Sequence, residues 1–230
     1  MKLLLIVIVI LIFGLIIFVH EFGHFFTAKL SGVRVNEFAL GMGPQLFKFK
    51  KGETVYSLRL FPIGGFCQME GEDEESSDEG AFSNKPVYKR MIIVAAGAIM
   101  NILLGFIMIM IVLCQQAYYP STTIYKFADN AVSNNYGLQV GDKILSINGY
   151  KIRTDKDLSF ALSVDKDHVV DMLVSRNNEN VYLENVKFGS KQLEDGTEIL
   201  ALDFYVEPIK RTFVSLVDQS FKSTVSMVRI

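Results

Sequence analysis

This sequence is poor in cysteine, in unbalanced charge and in repetition, and each shortage narrows its class. Only two cysteines, Cys67 and Cys114, occur in 230 residues. That number cannot build a disulfide framework. The topology derived below puts them on opposite sides of a membrane, so both are expected to be free thiols. Neither sign of charge dominates: 23 Lys and Arg against 25 Asp and Glu leave a net charge of −2, which gives no reason to propose a nucleic-acid partner. No internal repeat stands out. Histidine is scarce as well, with three in the chain.

What is abundant is apolar surface. Half the residues are hydrophobic, yet 21% are charged. This mixture suits membrane spans joined to polar segments better than a uniform globule. Leu3 to Val19 is an unbroken apolar run, and the span it begins is set at residues 3–26, long enough for a hydrocarbon core of about 30 Å. Lys2 gives it the basic start of a signal peptide. However, the run exceeds the usual apolar region of about 7–15 residues, and no small-residue cleavage site follows.

Two of the three histidines close that run, in His20-Glu21-Phe22-Gly23-His24, an H-E-x-x-H pattern. Four-residue spacing stacks His20 and His24 on one helical face, about 6 Å apart along the axis. Two neutral imidazoles so placed can share one Zn²⁺, with Glu21 positioned to deprotonate water. A pentapeptide alone can arise by chance. At membrane depth, however, each charged side chain costs about 2.5–3.5 kcal/mol, and three ionisable residues in five argue for a metal site. His168, beside Asp167, carries no such pattern and is given no role.

Residues 29–90 read as a polar segment. Val33–Leu40 and Thr54–Leu60 are short strands by composition, with a turn at Lys50–Glu53 and a chain break at Gly41–Pro44. Phe61–Phe66, with Gly64 and Gly65, reads by composition as an ordinary turn, with a loop dipping toward the metal as the functional alternative. The acidic cluster Glu70–Glu79 reads as a solvated linker. Ser83–Pro86 reads as a helix start. It leads into a second span, Met91–Leu113, in which Asn101 is the only strongly polar side chain. There Asn101 makes either a helix–helix hydrogen bond or a contact to substrate or the active site. Gly97 and Gly105 would allow close helix approach.

Lys29, Arg34, Lys85, Lys89 and Arg90 flank the 29–90 segment, which places it in the cytoplasm and both the N-terminus and the residues after 114 outside. Residues 120–208 look mixed α/β, with strands at Ile144–Ile147 and Val169–Val174, a short helix at Leu158–Val164 and a turn at Glu194–Gly196. Residues 212–230 set Phe213, Leu216, Val217, Phe221, Val225 and Val228 on one helical face. They form an amphipathic helix too polar for a normal span.

Taken in order, these stretches resemble the site-2 protease family of intramembrane zinc metalloproteases, and most closely its regulator-of-sigma-E (RIP metalloprotease) branch. The likeness is carried by His20–His24, by Tyr56–Phe66 as the membrane-associated β-hairpin, by Gly71–Glu74 and Ala81–Arg90, by Ala95–Asn101 as the G-P-x-x-N motif, and by Gly137–Gly149 as a PDZ domain. It implies an α-helical membrane protein of the bacterial inner membrane, with a cytoplasmic membrane-associated β-hairpin region and an inserted α/β PDZ domain. The expected parts are a first membrane helix at 1–28, the hairpin and acidic linker at 29–90, a second membrane helix at 91–114, the extracytoplasmic PDZ domain at 115–208 and an amphipathic segment at 209–230.

The resemblance also implies zinc on His20 and His24, Glu21 as general base, and Gly64, Gly65 and Asn101 handling substrate. The substrates would be membrane-spanning segments, such as those of anti-sigma factors or remnant signal peptides. Two departures stand out. Ala98 replaces the family's proline. The family's third zinc ligand, an aspartate in an L-D-G motif on a later membrane helix, has no apolar counterpart here, since Asp195-Gly196 lies in a polar turn. The expectation is therefore a chain lacking its C-terminal membrane helices and incomplete as an enzyme by itself. The competing expectation is a non-enzymatic membrane protein that binds partners through its PDZ domain and keeps a vestigial metal motif. A membrane-anchored conventional protease fits poorly, because the motif would then lie outside the anchor.

Overall fold

In the computed structural model, residues 2–74, 76–164, 169–192, 198–200 and 202–229 are described. The chain divides into two compact units, residues 1–105 and 106–230. The turn expected at Glu194–Gly196 and the lone His168 lie outside the described residues.

The first unit opens with helix α1, Lys2–Leu30. Aliphatic and phenylalanine side chains fill it, and most of its first half is exposed, from Leu3 to Phe13. A helix this apolar with its surface turned outward is the pattern of a segment solvated by lipid, and α1 is long and apolar enough to cross a membrane. Helix α2, Val87–Leu113, meets the same test and bridges the two units. It begins directly after Pro86, whose carbonyl accepts the first helical bonds from Lys89 and Arg90. Ser83 does not cap it: its Oγ is buried without a partner.

Between the helices runs one long antiparallel hairpin, β1 (Val35–Lys51) and β2 (Thr54–Met69). Both strands are longer than the sequence suggests. The break expected at Gly41–Pro44 interrupts the ladder inside β1: Gly41 and Gly43 take positive φ, the register slips, and Glu37–Leu40 pair both with Gly65–Gln68 and with Val55–Leu58, so the hairpin doubles back on itself there. Phe61–Phe66 lies within β2 at the facing part of the same bend, where the chain passes between the two stretches of β2 that pair with Glu37–Leu40, with Gly65 opposite Leu40.

The acidic stretch after β2 is folded rather than a solvated linker. The Arg34 amide donates to the Gly80 carbonyl, Glu70 accepts from Asn36 and Ser76, Asp78 pairs with Arg34, and Ala81 is fully buried. Composition shows only the carboxylates; it does not show that backbone bonds to Arg34 and Glu70 close the segment onto β1. Ala28, Val33, Val35, Phe38, Cys67, Met69 and Ile93 form the core that holds helices and hairpin together.

The second unit, within residues 106–230, is built on a mostly antiparallel sheet of β3 (Tyr118–Phe127), β4 (Lys143–Ile147), β5 (Tyr150–Lys151), β6 (Val169–Arg176) and β7 (Glu179–Lys187), closed by β10 (Phe204–Lys210). Its order is β10-β3-β4-β6-β7, with β5 on β4. A short pair, β8 (Ser190–Gln192) and β9 (Glu198–Leu200), stands apart from it. Helix α3, Asp155–Val164, turns Leu158 and Leu162 into a core with Ile144, Ile147, Val170, Met172 and Val174. Alternation along β6 places Val170, Met172 and Val174 inside.

Three buried carboxylates organise the loops. Asp142 receives a two-pronged bond from Arg176, Asp203 caps the turn at Ser133, and Asp157 accepts from Arg153 N, Thr154 N and Ser226 Oγ. The last contact docks α4, Phe213–Arg229, by its polar side: its buried residues are Gln219, Ser220 and Ser226, while Phe213, Val214, Phe221 and Val228 face outward. The amphipathic helix is as expected, but its polar face is the one turned inward.

Candidate active site

The motif lies near the C-terminal end of α1, one helical turn carrying both imidazoles. Their rings are 4.9 Å apart between centroids and nearly perpendicular, with His20 Nε2 and His24 Nε2 separated by 3.2 Å. Two nitrogens each about 2.0–2.1 Å from one zinc ion, in tetrahedral arrangement, stand about 3.3 Å apart. The pair is therefore spaced to grip a single ion.

Helix α2 completes the surroundings from the other side. His24 Nδ1 lies 2.8 Å from the Ile93 carbonyl. A carbonyl only accepts, so the proton sits on Nδ1 and the Nε2 lone pair is left facing His20. His20 Nδ1 lies 3.3 Å from the Asn101 amide. Between these anchors stands Gly97. A Cβ there would come within 2.5 Å of His24 Nε2 and 2.7 Å of His20 Nε2, closer than real side chains approach. The missing side chain leaves a cradle in front of both nitrogens. Close approach of the helices is secured at Gly23, where a Cβ would meet the Ala96 carbonyl oxygen at 2.6 Å. Gly105, also expected to allow helix approach, has nothing within 4 Å of its would-be Cβ.

The hairpin supplies the third wall. A Cβ at Gly65 would lie 3.1 Å from Glu21 Cγ and 2.9 Å from the Ala39 carbonyl oxygen, so β2 runs directly against the Glu21 side chain. Gly64, with φ of +90°, packs toward the Met42 side chain instead. A cavity of about 620 Å³ opens from Glu21 and His24 past Gly65 and Cys67 to Glu72 and Asp73. Its wall includes a half-buried ion pair, Arg59 to Glu37 at 2.8 Å. Burial raises the Glu37 carboxyl, but bonds from Ser57, Arg59 and Gln45 outweigh it and hold it below its usual range. Cys67 goes the other way: burial chiefly, with Glu21 and Glu72 adding, pushes its thiol up to about 12.

His20, Glu21, His24, Gly65 and Asn101 thus converge, with Gly64 one residue removed. Among the described residues no group of three His, Cys, Asp or Glu is arranged to hold a metal by itself. Two contributors were not legible as site residues. Gly97 stands one turn before Asn101, and that i, i+4 relation to a polar residue was the available signal. The Ile93 carbonyl carries no signal in sequence, because it is backbone.

The arrangement defines a class: a paired-histidine, single-glutamate site between two apolar helices with a β-strand across its mouth. The chain belongs to peptidase family M50, whose model matches residues 8–230. It is 41% identical over 172 residues to the "Putative zinc metalloprotease" of Clostridium acetobutylicum, covering 75% of this chain and 50% of that protein. It is 28% identical over 256 residues to the regulator of sigma-W protease RasP of Bacillus subtilis, covering 76% of this chain and 61% of that protein. It is 33% identical over 189 residues to the chloroplastic membrane metalloprotease ARASP of Arabidopsis thaliana, covering 78% of this chain and 40% of that protein. The chain spans about half the length of the first curated relatives it matches.

Proposed function

We propose that the chain carries the first half of the active site of an intramembrane zinc endopeptidase. His20 and His24 would hold the zinc, Glu21 would act as the general base, and Gly64 and Gly65 would border the substrate. The observation that carries this reading is the 3.2 Å separation of the two Nε2 atoms, with Gly97 leaving the space before them open.

Zinc, when held, supplies a Lewis acid that polarises the scissile carbonyl and acidifies water. Glu21 takes the proton of the attacking water and returns it to the leaving amide nitrogen as the peptide bond breaks. The edge of β2 at Gly65, beside Glu21, offers backbone groups to an unwound, extended peptide, in the manner of strand addition. A catalytic zinc site uses three protein ligands, and we assign the third to the family's L-D-G aspartate, which neither α1 nor α2 carries.

The substrates would be transmembrane segments, such as those of anti-sigma factors or remnant signal peptides. The sigma-W regulator among the relatives supports that choice. The second unit reads as a PDZ domain on the extracytoplasmic face, binding new C-termini or filtering by size. The hairpin region reads as cytoplasmic, in a bacterial inner-membrane protein.

The test is zinc content of the full-length protein in detergent, together with cleavage of a model transmembrane substrate. Stoichiometric zinc, and loss of cleavage in Glu21→Gln with zinc retained, is the expected result. Equal cleavage by both proteins, or no zinc, overturns the proposal in favour of a membrane binding protein with a vestigial motif.

A further inference from the structure

We infer that Asn101 is the positioning residue for His20: its amide turns to follow the proton of that imidazole, and so presents Nε2 to a metal. This inference rests on the function proposed above.

The hydrogen bonds leave few choices. The Ile93 carbonyl fixes the His24 proton on Nδ1, so His24 offers a lone pair at Nε2. His20 Nε2 faces that lone pair at 3.2 Å. Two lone pairs at this distance repel unless a proton or a cation lies between them. With a proton on His20 Nε2, His20 Nδ1 is an acceptor, and Asn101 Nδ2 must donate to it across the 3.3 Å contact. With a cation between the rings, the His20 proton must sit on Nδ1, and Asn101 must then present Oδ1. The two ends of an amide are nearly isosteric, so a half-turn exchanges them in place.

The second observation concerns the other end of the same amide. Asn101 Oδ1 is buried and makes no hydrogen bond. A buried carbonyl without a partner costs about 1–3 kcal/mol. The half-turn gives that oxygen a donor only when His20 carries its proton on Nδ1, which is the form that ligates through Nε2. An amide serves both tautomers because it holds a donor and an acceptor. Leucine serves neither, and an ionised aspartate serves only the Nδ1–H form.

The experiment compares the full-length wild type with Asn101→Leu, Asn101→Ala and Asn101→Asp in detergent. Zinc affinity is read by chelator competition, and the His20 tautomer by ¹⁵N NMR of labelled histidine. Asn101→Leu and Asn101→Ala are expected to weaken zinc binding about 10–100-fold, and Asn101→Asp to restore it to within about threefold of wild type. The His20 proton is expected to move from Nε2 to Nδ1 on adding zinc to wild type, and to sit on Nδ1 throughout in Asn101→Asp. Zinc affinity unchanged in Asn101→Ala, with only KM raised, would make Asn101 a substrate contact and overturn the inference alone. Equal weakening in the alanine and aspartate variants would overturn it too. A wild type without zinc overturns the proposed function and this inference with it.

Discussion

The most consequential single residue outside the H-E-x-x-H motif has no side chain. Gly97 is needed because anything larger would occupy the place where two imidazole nitrogens converge. Gly97→Ala should therefore abolish stoichiometric zinc while leaving the helix intact, since alanine is the better helix former by about 1 kcal/mol. Unchanged helicity by circular dichroism, with metal content falling below about one tenth of wild type, would be the signature. Retained zinc would show that the cradle does not face the ion.

Cys67 makes a second residue-level prediction. With its thiol raised to about 12 by burial, the reactive thiolate is scarce at pH 8, whereas Cys114 is exposed. A maleimide should modify the folded protein once, at Cys114, and should reach Cys67 only after denaturation. Labelling at both sites in the folded protein would contradict the buried position of Cys67.

At the scale of elements, the long apolar helices were plain in the sequence because an uninterrupted hydrophobic run has one reading in lipid. The imidazole pair was equally plain, because helical geometry converts a spacing of four into proximity. The hairpin was not. Gly41 and Gly43 look like breakers and do bend the chain, but only the double pairing of Glu37–Leu40 with β2 shows that the strands continue through the bend and the hairpin folds onto itself. The orientation of α4 was also hidden. Helical periodicity separates an apolar face from a polar one without saying which is covered. The buried Asp157 carboxylate draws the polar face inward through Ser226.

Ser226→Ala removes that bond to a charged group and should destabilise the second unit by about 1.5–3 kcal/mol, exposing α4 to limited proteolysis. Burial raises the Asp157 carboxyl, but its hydrogen bonds from Ser226, Arg153 and Thr154 prevail and hold it below the usual range. A depressed folded-state pKa stabilises above the unfolded value of about 3.9, and the contribution is lost as pH falls below that value toward the folded one. The thermal stability gap between wild type and Asp157→Asn should accordingly be constant from pH 7 to about 5 and narrow below about 4. A gap of the same size at pH 5 and at pH 2 would show that shape rather than charge fixes the Asp157 site.

For the whole molecule the proposed function turns on which face of the membrane each segment meets, since cleavage within the bilayer would draw water from one side. Lys29, Arg34, Lys85, Lys89 and Arg90 concentrate around the hairpin region, and on the positive-inside rule we propose that this region is cytoplasmic. The cavity beside Glu21 and His24 is lined by Glu72 and Asp73 of the same region, so water would enter from the cytoplasmic side. Cys67 lies in that region but cannot report its side, because it is buried. An exposed position at the hairpin tip can. Lys51→Cys, placed where β1 turns into β2, should resist a membrane-impermeant maleimide in intact cells and react once the membrane is opened. The native Cys114, just beyond α2, should react from outside without permeabilisation. Reaction of both cysteines from the same side would break the assignment, because α2 could not then cross the bilayer between them. Reaction in the reverse sense would move the water entrance, and with it the Glu21 carboxylate, to the opposite face.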